Sequence, residues 1–460
     1  MIGKSPDRTT PELFRPMLTD FIDRGNELAL QADSIDWGYF ESEFAPLYSK
    51  NGRPAKPIRL MVGCLLLKQM YGLGDETLPS EWVMDPYMQN FCGETFFQHK
   101  FPFAPSDIVH FRKRIGDRGT EKILGYTARL HGKDAEEKTV VSDTTVQGNN
   151  TEIPTDARLY LQIINRCNAI AKAHGVKQRQ TYTETSKNLM RETHNAKHPK
   201  RRKAAVRATR KLGTKAGRLV RELERGLADG MTDEQREVLG LLNRALLRGR
   251  NQKDKVYSLH KPHTACIAKG KAHQMYEFGN KVGHISTAKT QINLAIQAFP
   301  GNPNDGHTVE PLLEQMRRNA LKLPDVLGND RGVRGVKEVC GEEVQTPKPP
   351  KRTDTEHEKR KKRHLYRRRA AIEPLIGHHK SDSRKGRNYL WEEVSSTMNA
   401  QHSAAEWNLK KYKGKLKRAF LVLIHRPICY LCIITSNIIY IIQSYSTTGF
   451  NDEKRLCVAF

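Results

Sequence analysis

The stretch HLYRRRAAIEPLIGHHK, residues 364–380, combines several basic side chains with an aromatic ring and one carboxylate. At about 100° per residue, four of its side chains fall on one side of an α-helix: Tyr366, Arg369, Glu373 and Lys380. The basic groups suit a surface that attracts phosphate. The carboxylate among them needs a separate explanation, which depends on the other acids of the chain.

Two further carboxylates occur where strands are predicted. The run from Thr139 to Val146 is β-branched with one polar break, which indicates a buried strand with Asp143 in its middle, ended by residues 148–150. A carboxylate inside such a strand is costly unless it is paired or bound to a metal. The stretch VLGNDRGVRG, residues 326–335, indicates a short strand that ends at Asp330 and runs into a glycine-rich turn.

Ordinary structural roles for these acids stay open. Asp143 would then pair with a lysine, and Asp330 would form a turn before Gly332. Asp305 competes as the second acid, although the sequence NPNDGH around it is typical of a turn rather than of a strand end. The histidines at positions 260, 263 and 307 are interpreted as surface or packing residues rather than as ligands.

Composition indicates the class of protein. The 460 residues allow two or three domains, and 78 Lys+Arg against 51 Asp+Glu give a formal net charge of +27. Such a surplus predicts a polyanionic partner, most often nucleic acid, with a merely basic or ribosome-type protein as the alternative. The first residues, MIGKSPDRTTPELFRP, lack the apolar core of a secretory signal.

Eight scattered cysteines predict a reduced, cytosolic protein without structural disulfides. The CxxC formed by Cys429 and Cys432 is weak evidence for zinc without a second pair. From Ile428 to Phe450 the chain has no Asp, Glu, Lys or Arg. Its apolar part is shorter than the roughly 20 residues of a spanning helix, so a read-through or frameshifted tail is preferred over a buried segment, and a membrane anchor comes last.

The N-terminal part reads as mostly helical. In PSDIVHFRKRIG, residues 105–116, Ser106 is the expected N-cap, and Ile108, Phe111 and Ile115 form the apolar side. Arg112 and Lys113 then project elsewhere, so this helix would contact DNA like the second helix of a helix-turn-helix, or be an ordinary surface helix.

Residues 155–250 are predicted to be helical, 255–286 to form a strand meander, and 355–412 to be helical again. The first of these segments contains a basic cluster that we expect to contact the phosphate backbone: Lys200, Arg201, Arg202 and Lys203. Strands and helices alternating around a helical segment favour a three-layer α/β domain whose acids converge at one edge of a sheet.

From roughly Phe44 to Lys411 the chain resembles the DDE transposases of bacterial insertion sequences, specifically the group called insertion sequence family five. The resemblance lies in GRPAKPIRLMVGCLLLKQMYGLGDE, DPYMQNFCGETFFQHKFPFAPSDIVHFRKRIG, VVSDTTVQGNNTEIPTDARL, KPHTACIAKGKAHQMYEFGNKV, GNPNDGHT and NDRGVRG. Residues 366–380 match the family's Y-(2)-R-(3)-E-(6)-K signature at every spacing. Val333 departs from the pattern, because relatives often carry tyrosine after DRG.

The resemblance implies an α/β ribonuclease H-like catalytic core, a mixed sheet flanked by helices, with Asp143, Asp330 and Glu373 as its acidic triad. It implies two Mg2+ ions, for which Mn2+ would substitute. Asp143 would bridge both ions, while Asp330 binds one and Glu373 the other. Two ions about 3.5–4 Å apart serve both the attacking and the leaving oxygen of a phosphodiester exchange.

The resemblance also explains the basic side chains of the opening stretch. Arg369 and Lys380 would hold phosphates beside the cut, and Tyr366 would contact the backbone of the transposon end or a displaced base. Pro374 predicts a kink near Glu373, with the helix ending at Gly377 and Lys380 reaching the site from a loop.

The predicted domains are a helical N-terminal DNA-binding domain (1–138), the first core strand (139–154), a basic helical insertion (155–250), the remainder of the catalytic core (251–412) and an atypical apolar tail (413–460). The predicted partners are double-stranded DNA, as transposon ends and target, and a second copy of the chain in at least a homodimer, with no membrane. The predicted place is the bacterial cytoplasm, at the nucleoid.

Two other functions stay open. A catalytically decayed transposase would only bind DNA, as a repressor of its own element. A tyrosine recombinase with Tyr366 as nucleophile is less favoured, and it would work without metal and survive the loss of Asp143.

Overall fold

The structure is a computed structural model. It describes residues 14–49, 51–194, 198–228, 230–247, 255–271, 274–329, 338–339, 341–345 and 350–420, together with positions 3, 12, 196, 249 and 252. The chain divides into two compact units, one of residues 1–64, 75–105 and 409–460 and one of residues 65–74 and 106–408.

The first unit is helical around an aromatic core. Its helices are α1 (Leu18–Phe21), α2 (Glu27–Ser34), α3 (Trp37–Phe44), the first part of α4 (Ile58–Met70), α5 (Leu78–Met84) and α6 (Pro86–Phe91). The rings of Trp37 and Phe91 meet edge to face at 5.2 Å, and both side chains are buried. Asp36 and Asp85 cap the helices that follow them by accepting backbone N–H groups, as short polar side chains do.

The second unit is built on one mixed sheet. Its strands are β1 (Thr139–Asn149), β2 (Ala265–Lys271), β3 (Gln274–Thr287), β4 (Asn293–Phe299), β5 (Val326–Gly328), β6 (Glu338–Val339), β7 (Glu342–Gln345) and β8 (Arg387–Asn388). The central strand β1 is antiparallel to β3 and parallel to β5 and β8. Strand β4 adds to β3, and β7 is parallel to β5.

Helices cover both faces of this sheet. Successive residues of a strand point to opposite faces, and on β1 Val140 belongs to one apolar cluster while Val141 belongs to another. The first cluster includes Leu312 of α12 (Gly306–Arg318), and the second includes Leu375 of α14 (Ile372–Ser381). The predicted three-layer α/β arrangement is therefore confirmed for the described residues.

Four helices between β1 and β2 have an apolar core of their own. They are α8 (Asp156–Ala173), α9 (Thr183–Glu192), α10 (Pro199–Gly226) and α11 (Asp233–Leu246). Ile163 of α8, Leu219 of α10 and Leu242 of α11 lie in one buried cluster. The described residues of this segment are therefore mostly helical.

Several element bounds differ from those that the sequence predicts. Helix α7 (Pro105–Arg129) starts at Pro105, so Ser106 lies within its first turn and the prediction of Ser106 as N-cap is wrong. The helix continues past a kink at Gly116, whose positive φ of 60° suits glycine. Strand β1 also runs on to Asn149, because Gly148 and Asn149 pair with β8.

The segment predicted as helical from 355 to 412 contains three helices, which are α13 (Glu356–Ala370), α14 and a helix that covers residues 395–420, but it also contains the short strand β8. Most of the apolar tail, from residue 421 onwards, lies outside the described residues, as do Cys429 and Cys432. Within the part of the chain that is described, no helix is long and apolar enough to cross a membrane.

Candidate active site

Asp143 lies in the middle of β1, on the sheet face that α14 covers. It shares this face with Val141, two residues earlier, because side chains alternate along a strand. Its side chain is 17% exposed, and one carboxylate oxygen accepts the backbone N–H of Thr144 at 2.7 Å. The strand therefore holds this carboxylate in a fixed direction at a partly buried position.

The helix that was expected to carry the four signature residues is interrupted. Tyr366 and Arg369 lie on α13, whereas Glu373 and Lys380 lie on α14, so the helix is interrupted close to Glu373, as Pro374 predicts, and the four side chains do not share one continuous helix. The break at Ala371 precedes Pro374, whose ring has no N–H to donate and would clash with the carbonyl four residues earlier. Helix α14 then continues to Ser381, so Gly377 does not end it and Lys380 is helical.

Arg369 contacts both of the predicted triad acids that the structure describes, Asp143 and Glu373. One guanidinium nitrogen lies 3.5 Å from a carboxylate oxygen of Asp143, and another lies 3.5 Å from a carboxylate oxygen of Glu373. The Arg369 side chain is 16% exposed, whereas the Glu373 side chain is 63% exposed. Asp143 on β1 and Glu373 in the first turn of α14 therefore contact the same guanidinium, and the site is open to solvent on the side of Glu373.

Asp305, the competing acid, belongs to the other face of the sheet. Its carboxylate accepts the hydroxyl of Thr144 at 2.8 Å and pairs with Lys281 at 2.6 Å. Thr144 follows Asp143 directly and therefore points to the opposite face. The Asp305 carboxylate thus contacts β1 and β3 from the α12 side of the sheet and does not converge with Asp143.

The donor set fits a divalent metal in part. Asp143 and Glu373 supply hard carboxylate oxygens, which Mg2+ prefers, and the guanidinium between them shows that the position accepts positive charge. Asp330, the third predicted acid, lies outside the described residues. Among the residues that are described, no group of three His, Cys, Asp or Glu side chains is arranged to hold a metal ion.

The other two signature side chains lie on the same two helices as Arg369 and Glu373. Tyr366 is 54% exposed on α13, so its ring and hydroxyl are open to a ligand. Lys380 is partly buried on α14, two turns after Glu373.

A buried polar cluster lies behind Asp143, and sequence reasoning missed it. His284 of β3 is directly opposite Asp143 in the antiparallel register, and its ring meets that of His379 of α14 at 5.5 Å. Burial lowers the pKa of His284 to about 3 and that of His379 well below its usual range, so both rings are neutral. The dipeptide His378-His379, which begins five residues after Glu373, was the only sequence signal for this cluster.

Lys385 is the third member of this cluster. Its side chain is fully buried, and its Nζ has no hydrogen-bond partner among the described residues. Burial, together with the charge of Lys380, lowers the pKa of Lys385 to about 7, and the opposite charge of Asp143 counteracts this shift. The rear of the site is therefore weakly cationic.

The predicted DNA-contacting residues differ in their accessibility. Arg112 is buried together with Phe111 and Ile115, so the expectation that it projects away from the apolar side is wrong. Lys113 is 58% exposed and pairs with Glu392 at 2.8 Å. The basic cluster is exposed at the start of α10: Lys200, Arg201, Arg202 and Lys203.

Two family models that describe transposase domains match separate parts of the chain. Residues 16–114 match the family described as "Transposase domain (DUF772)", and residues 250–395 match the "Transposase DDE domain". A relative from Rhizobium meliloti, named "Uncharacterized protein ORF8 in nfe locus", is 40% identical over 187 residues, which are 40% of this chain and 90% of the relative. No solved structure matches the chain.

Proposed function

The chain belongs to the DDE transposases, and from this premise we propose that it binds the ends of an insertion sequence and catalyses metal-dependent DNA strand cleavage and strand transfer. Transposases act on DNA, and the DDE domain implies a ribonuclease H-like fold and the use of a divalent metal. Within this family we assign the chain to the group called insertion sequence family five, on the spacing of the Y-R-E-K signature in residues 366–380.

One observation carries the proposal. Asp143 and Glu373 are distant in sequence, yet both carboxylates meet the guanidinium of Arg369 at one edge of the site. Two acids that lie this close repel each other unless a cation is present. A purely structural ion pair would need only one carboxylate for the single positive charge of Arg369. The second carboxylate leaves the site with an excess negative charge, which a bound metal ion would balance.

The chemistry follows from the donor set. We assign Asp143, Asp330 and Glu373 as the ligands of two Mg2+ ions, with Mn2+ as a substitute and with Asp143 as the shared ligand. Bound divalent ions would supply an activated water or 3'-hydroxyl and would neutralise the leaving oxygen.

The side chains of the protein orient these steps. Strand β1 fixes the direction of Asp143, while Glu373 enters from the first turn of α14, where the helix dipole favours a carboxylate. Arg369 would turn from the acids to the scissile phosphate when metal binds. Lys380 would hold a neighbouring phosphate, and Tyr366 would contact the backbone of the transposon end.

We assign DNA binding outside the active site to two surfaces. The exposed cluster Lys200–Lys203 stands in the first turn of α10, where no acid accompanies it and where the helix dipole disfavours cations. This cost would be offset when the cluster binds phosphates of any sequence. Lys113 would contact the transposon end, whereas Arg112 would contribute from a buried position.

Assembly and organisation belong to the same proposal. A homodimer or a larger complex would cut both ends together, at the nucleoid in the bacterial cytoplasm. Residues 1–138 would bind DNA, residues 139–154 and 251–412 would form the catalytic core, residues 155–250 would be a basic helical insertion, and residues 413–460 would be a tail.

A metal-dependent cleavage assay on DNA that carries the ends of the element tests the proposal. We expect cleavage with Mg2+ or Mn2+ and none after chelation. A decayed transposase acting as a repressor would bind the ends and never cut them. A tyrosine recombinase would cut without metal, lose activity in Tyr366→Phe and keep it in Asp143→Asn, and this result would overturn the assignment.

A further inference from the structure

Helix α13 has one face on which every cation is compensated by a carboxylate. The side chains of Lys359, Lys362 and Arg369 are partly buried there, with 22%, 33% and 16% exposed. Lys359 pairs with Glu356 at 2.9 Å, and Lys362 pairs with Asp354 at 2.6 Å. The guanidinium of Arg369 contacts the two acids of the active site. We call this side the inner face of α13.

Three arginines form a row along the opposite face. Arg360, Arg363 and Arg367 are separated by three and then four residues, so at about 100° per residue they lie within about 60° of one another. They also lie about 120° or more around the helix from Arg369. All three are exposed, and no carboxylate among the described residues pairs with them. We call this row the outer stripe, which is about 10 Å long.

The energetics of the helix alone do not account for the outer stripe. Cations three or four residues apart on a helix repel each other. The helix dipole favours cations in the last turn, which contains Arg367 but neither Arg360 nor Arg363. The acid one turn before Arg360 is Glu356, and it already pairs with Lys359. Anions from outside the chain would relieve this repulsion, and the backbone of a DNA duplex presents them in a row.

The outer stripe lies close to the acids and faces away from them. Arg367 precedes Arg369 by two residues, and the guanidinium of Arg369 contacts Asp143. With its side chains, an α-helix is about 10–12 Å across, so α13 separates the stripe from the acids. In the proposed function, the transposon end occupies the acids and continues past Lys380 on α14. The outer stripe is therefore open to a different segment of DNA.

We propose that the outer stripe binds a second DNA duplex of any sequence, which receives the joined strand while the transposon end occupies the acids. The inference rests on the proposed function, because strand transfer connects two DNA segments, and it assigns the residues that hold the acceptor. Contacts to phosphates fix the position of a duplex without selecting its sequence. At about 3.4 Å per base pair, the stripe covers roughly three base pairs.

A capture assay in a chelating buffer tests the stripe without cleavage. The full chain is bound to an immobilised duplex that carries the end of the element, and a labelled duplex of random sequence is then titrated. The stripe variant combines Arg360→Gln, Arg363→Gln and Arg367→Gln, because glutamine has nearly the helix propensity of arginine. We expect its affinity for the end duplex to stay within about twofold of the wild type.

Capture of the random duplex should weaken in this variant and depend less on salt. Each lost phosphate contact lowers the slope against log salt by about 0.9, so three contacts should flatten it by about 2.7. Between roughly 50 and 200 mM salt, this difference corresponds to about 40-fold in affinity. The capture that remains is assigned to the cluster Lys200–Lys203, which the variant keeps.

Lys359→Gln with Lys362→Gln is the matched control, because it removes two cations from the inner face of the same helix. Both lysines already pair with carboxylates, so the slope of capture should change by less than one phosphate contact, about 0.9. A photo-reactive side chain at position 363 provides an independent measurement. It should cross-link to the random duplex and not to the end duplex.

Each outcome decides the proposal. Unchanged capture by the stripe variant would show that the stripe is an ordinary solvated face and would overturn the inference. Equal losses for the end duplex and the random duplex would place the stripe on the path of the cleaved DNA and overturn it as well, as would cross-linking to the end duplex. The proposed function fails separately, when the wild-type chain does not cut DNA that carries the ends of the element in Mg2+ or Mn2+.

Discussion

Arg369 places a guanidinium nitrogen 3.5 Å from a carboxylate oxygen of Asp143, although 226 residues separate the two in the sequence. The same guanidinium reaches Glu373 at 3.5 Å. Without metal, Arg369 therefore compensates the charge of both acids. A metal ion and this guanidinium would compete for the same carboxylates. Removal of the guanidinium should therefore lower the stability of the metal-free protein and raise its affinity for metal.

Replacing Arg369 with glutamine should lower the stability of the metal-free protein by about 1 kcal/mol, because two carboxylates lose their shared cation. The same change should tighten Mn2+ binding, because a competing positive charge is gone. Thermal unfolding with and without Mn2+ measures both effects.

Arg367→Gln is the matched control, since Arg367 is exposed on the same helix. It should leave both unfolding curves as in the wild type. Weaker Mn2+ binding in Arg369→Gln would contradict the competition and would mean that Arg369 holds the acids in position for the metal.

The acids themselves should separate catalysis from binding. Asp143→Asn, Asp330→Asn and Glu373→Gln should each reduce cleavage and joining at least about a hundredfold, since each removes a ligand of ions that contribute several kcal/mol to the transition state. DNA binding should persist or tighten slightly, because a negative charge near phosphate is removed. Pre-nicked ends report joining without the first cut.

Asp305→Asn provides the contrast for this series. It removes one carboxylate next to Thr144, on the opposite face of the sheet from Asp143. We expect cleavage near the wild-type rate, with a small loss of stability from the ion pair with Lys281. Wild-type joining by Glu373→Gln in Mg2+ would remove Glu373 from the ligand set.

The sequence was sufficient for the strand that holds Asp143 and for the helices around it, because β-branched runs and apolar periodicity are local signals. It also marked Pro374 as a point of interruption. It did not place the break at Ala371, and it predicted a helix end at Gly377, whereas α14 continues to Ser381. The contact between Asp143 and Arg369 depends on packing between a strand and a distant helix, which no local pattern specifies.

The exposed cluster at the start of α10 should bind DNA without regard to sequence. Changing Lys200, Arg201, Arg202 and Lys203 to alanine should weaken binding to random DNA and flatten its dependence on log salt by up to about 3.6, if each cation contacts one phosphate. The protein should not become less stable, because cations at a helix N-terminus oppose the helix dipole.

Lys187→Ala with Arg191→Ala on α9 removes two exposed cations of the same helical region as a control. Its salt dependence should stay near that of the wild type. A loss in the cluster variant that is confined to the ends of the element would contradict a sequence-independent role.

The tail should be dispensable beyond Phe420. Truncation there removes the uncharged stretch from Ile428 to Phe450 and should raise solubility while leaving metal-dependent cleavage intact. Solubility and cleavage of the truncated protein measure this. An insoluble product would show that the removed segment is part of the core.

A cut at Tyr412 should cost more, because Lys413 and Lys417 pair with Glu27 at 2.7 and 2.8 Å. These contacts lower the pKa of Glu27 below its usual 4.5. A depressed carboxyl pKa stabilises the fold above about pH 4.5, and this contribution is lost as the pH falls through the lowered value. Lys413→Met with Lys417→Met should therefore lower the melting temperature at pH 7 and have little effect at pH 3.

Buried polar groups were the second feature that the sequence did not specify. His284, His379 and Lys385 look like ordinary polar residues in a basic chain, and only the pairing of β3 with β1 and the packing of α14 bring them behind Asp143. Burial of a lysine follows from the three-dimensional arrangement of its neighbours. The same holds for Arg112, which the helical pattern alone assigned to the surface.

The separate apolar core of α8–α11 has an evolutionary consequence. A segment that packs mainly on itself can be lengthened, shortened or exchanged while the pairing of β1 with β3 is kept. The part that carries the exposed cluster Lys200–Lys203 is then free to diverge at a different pace from the part that carries Asp143. Chimaeras between relatives that exchange only this segment should alter DNA affinity and inherit the cleavage chemistry of the recipient.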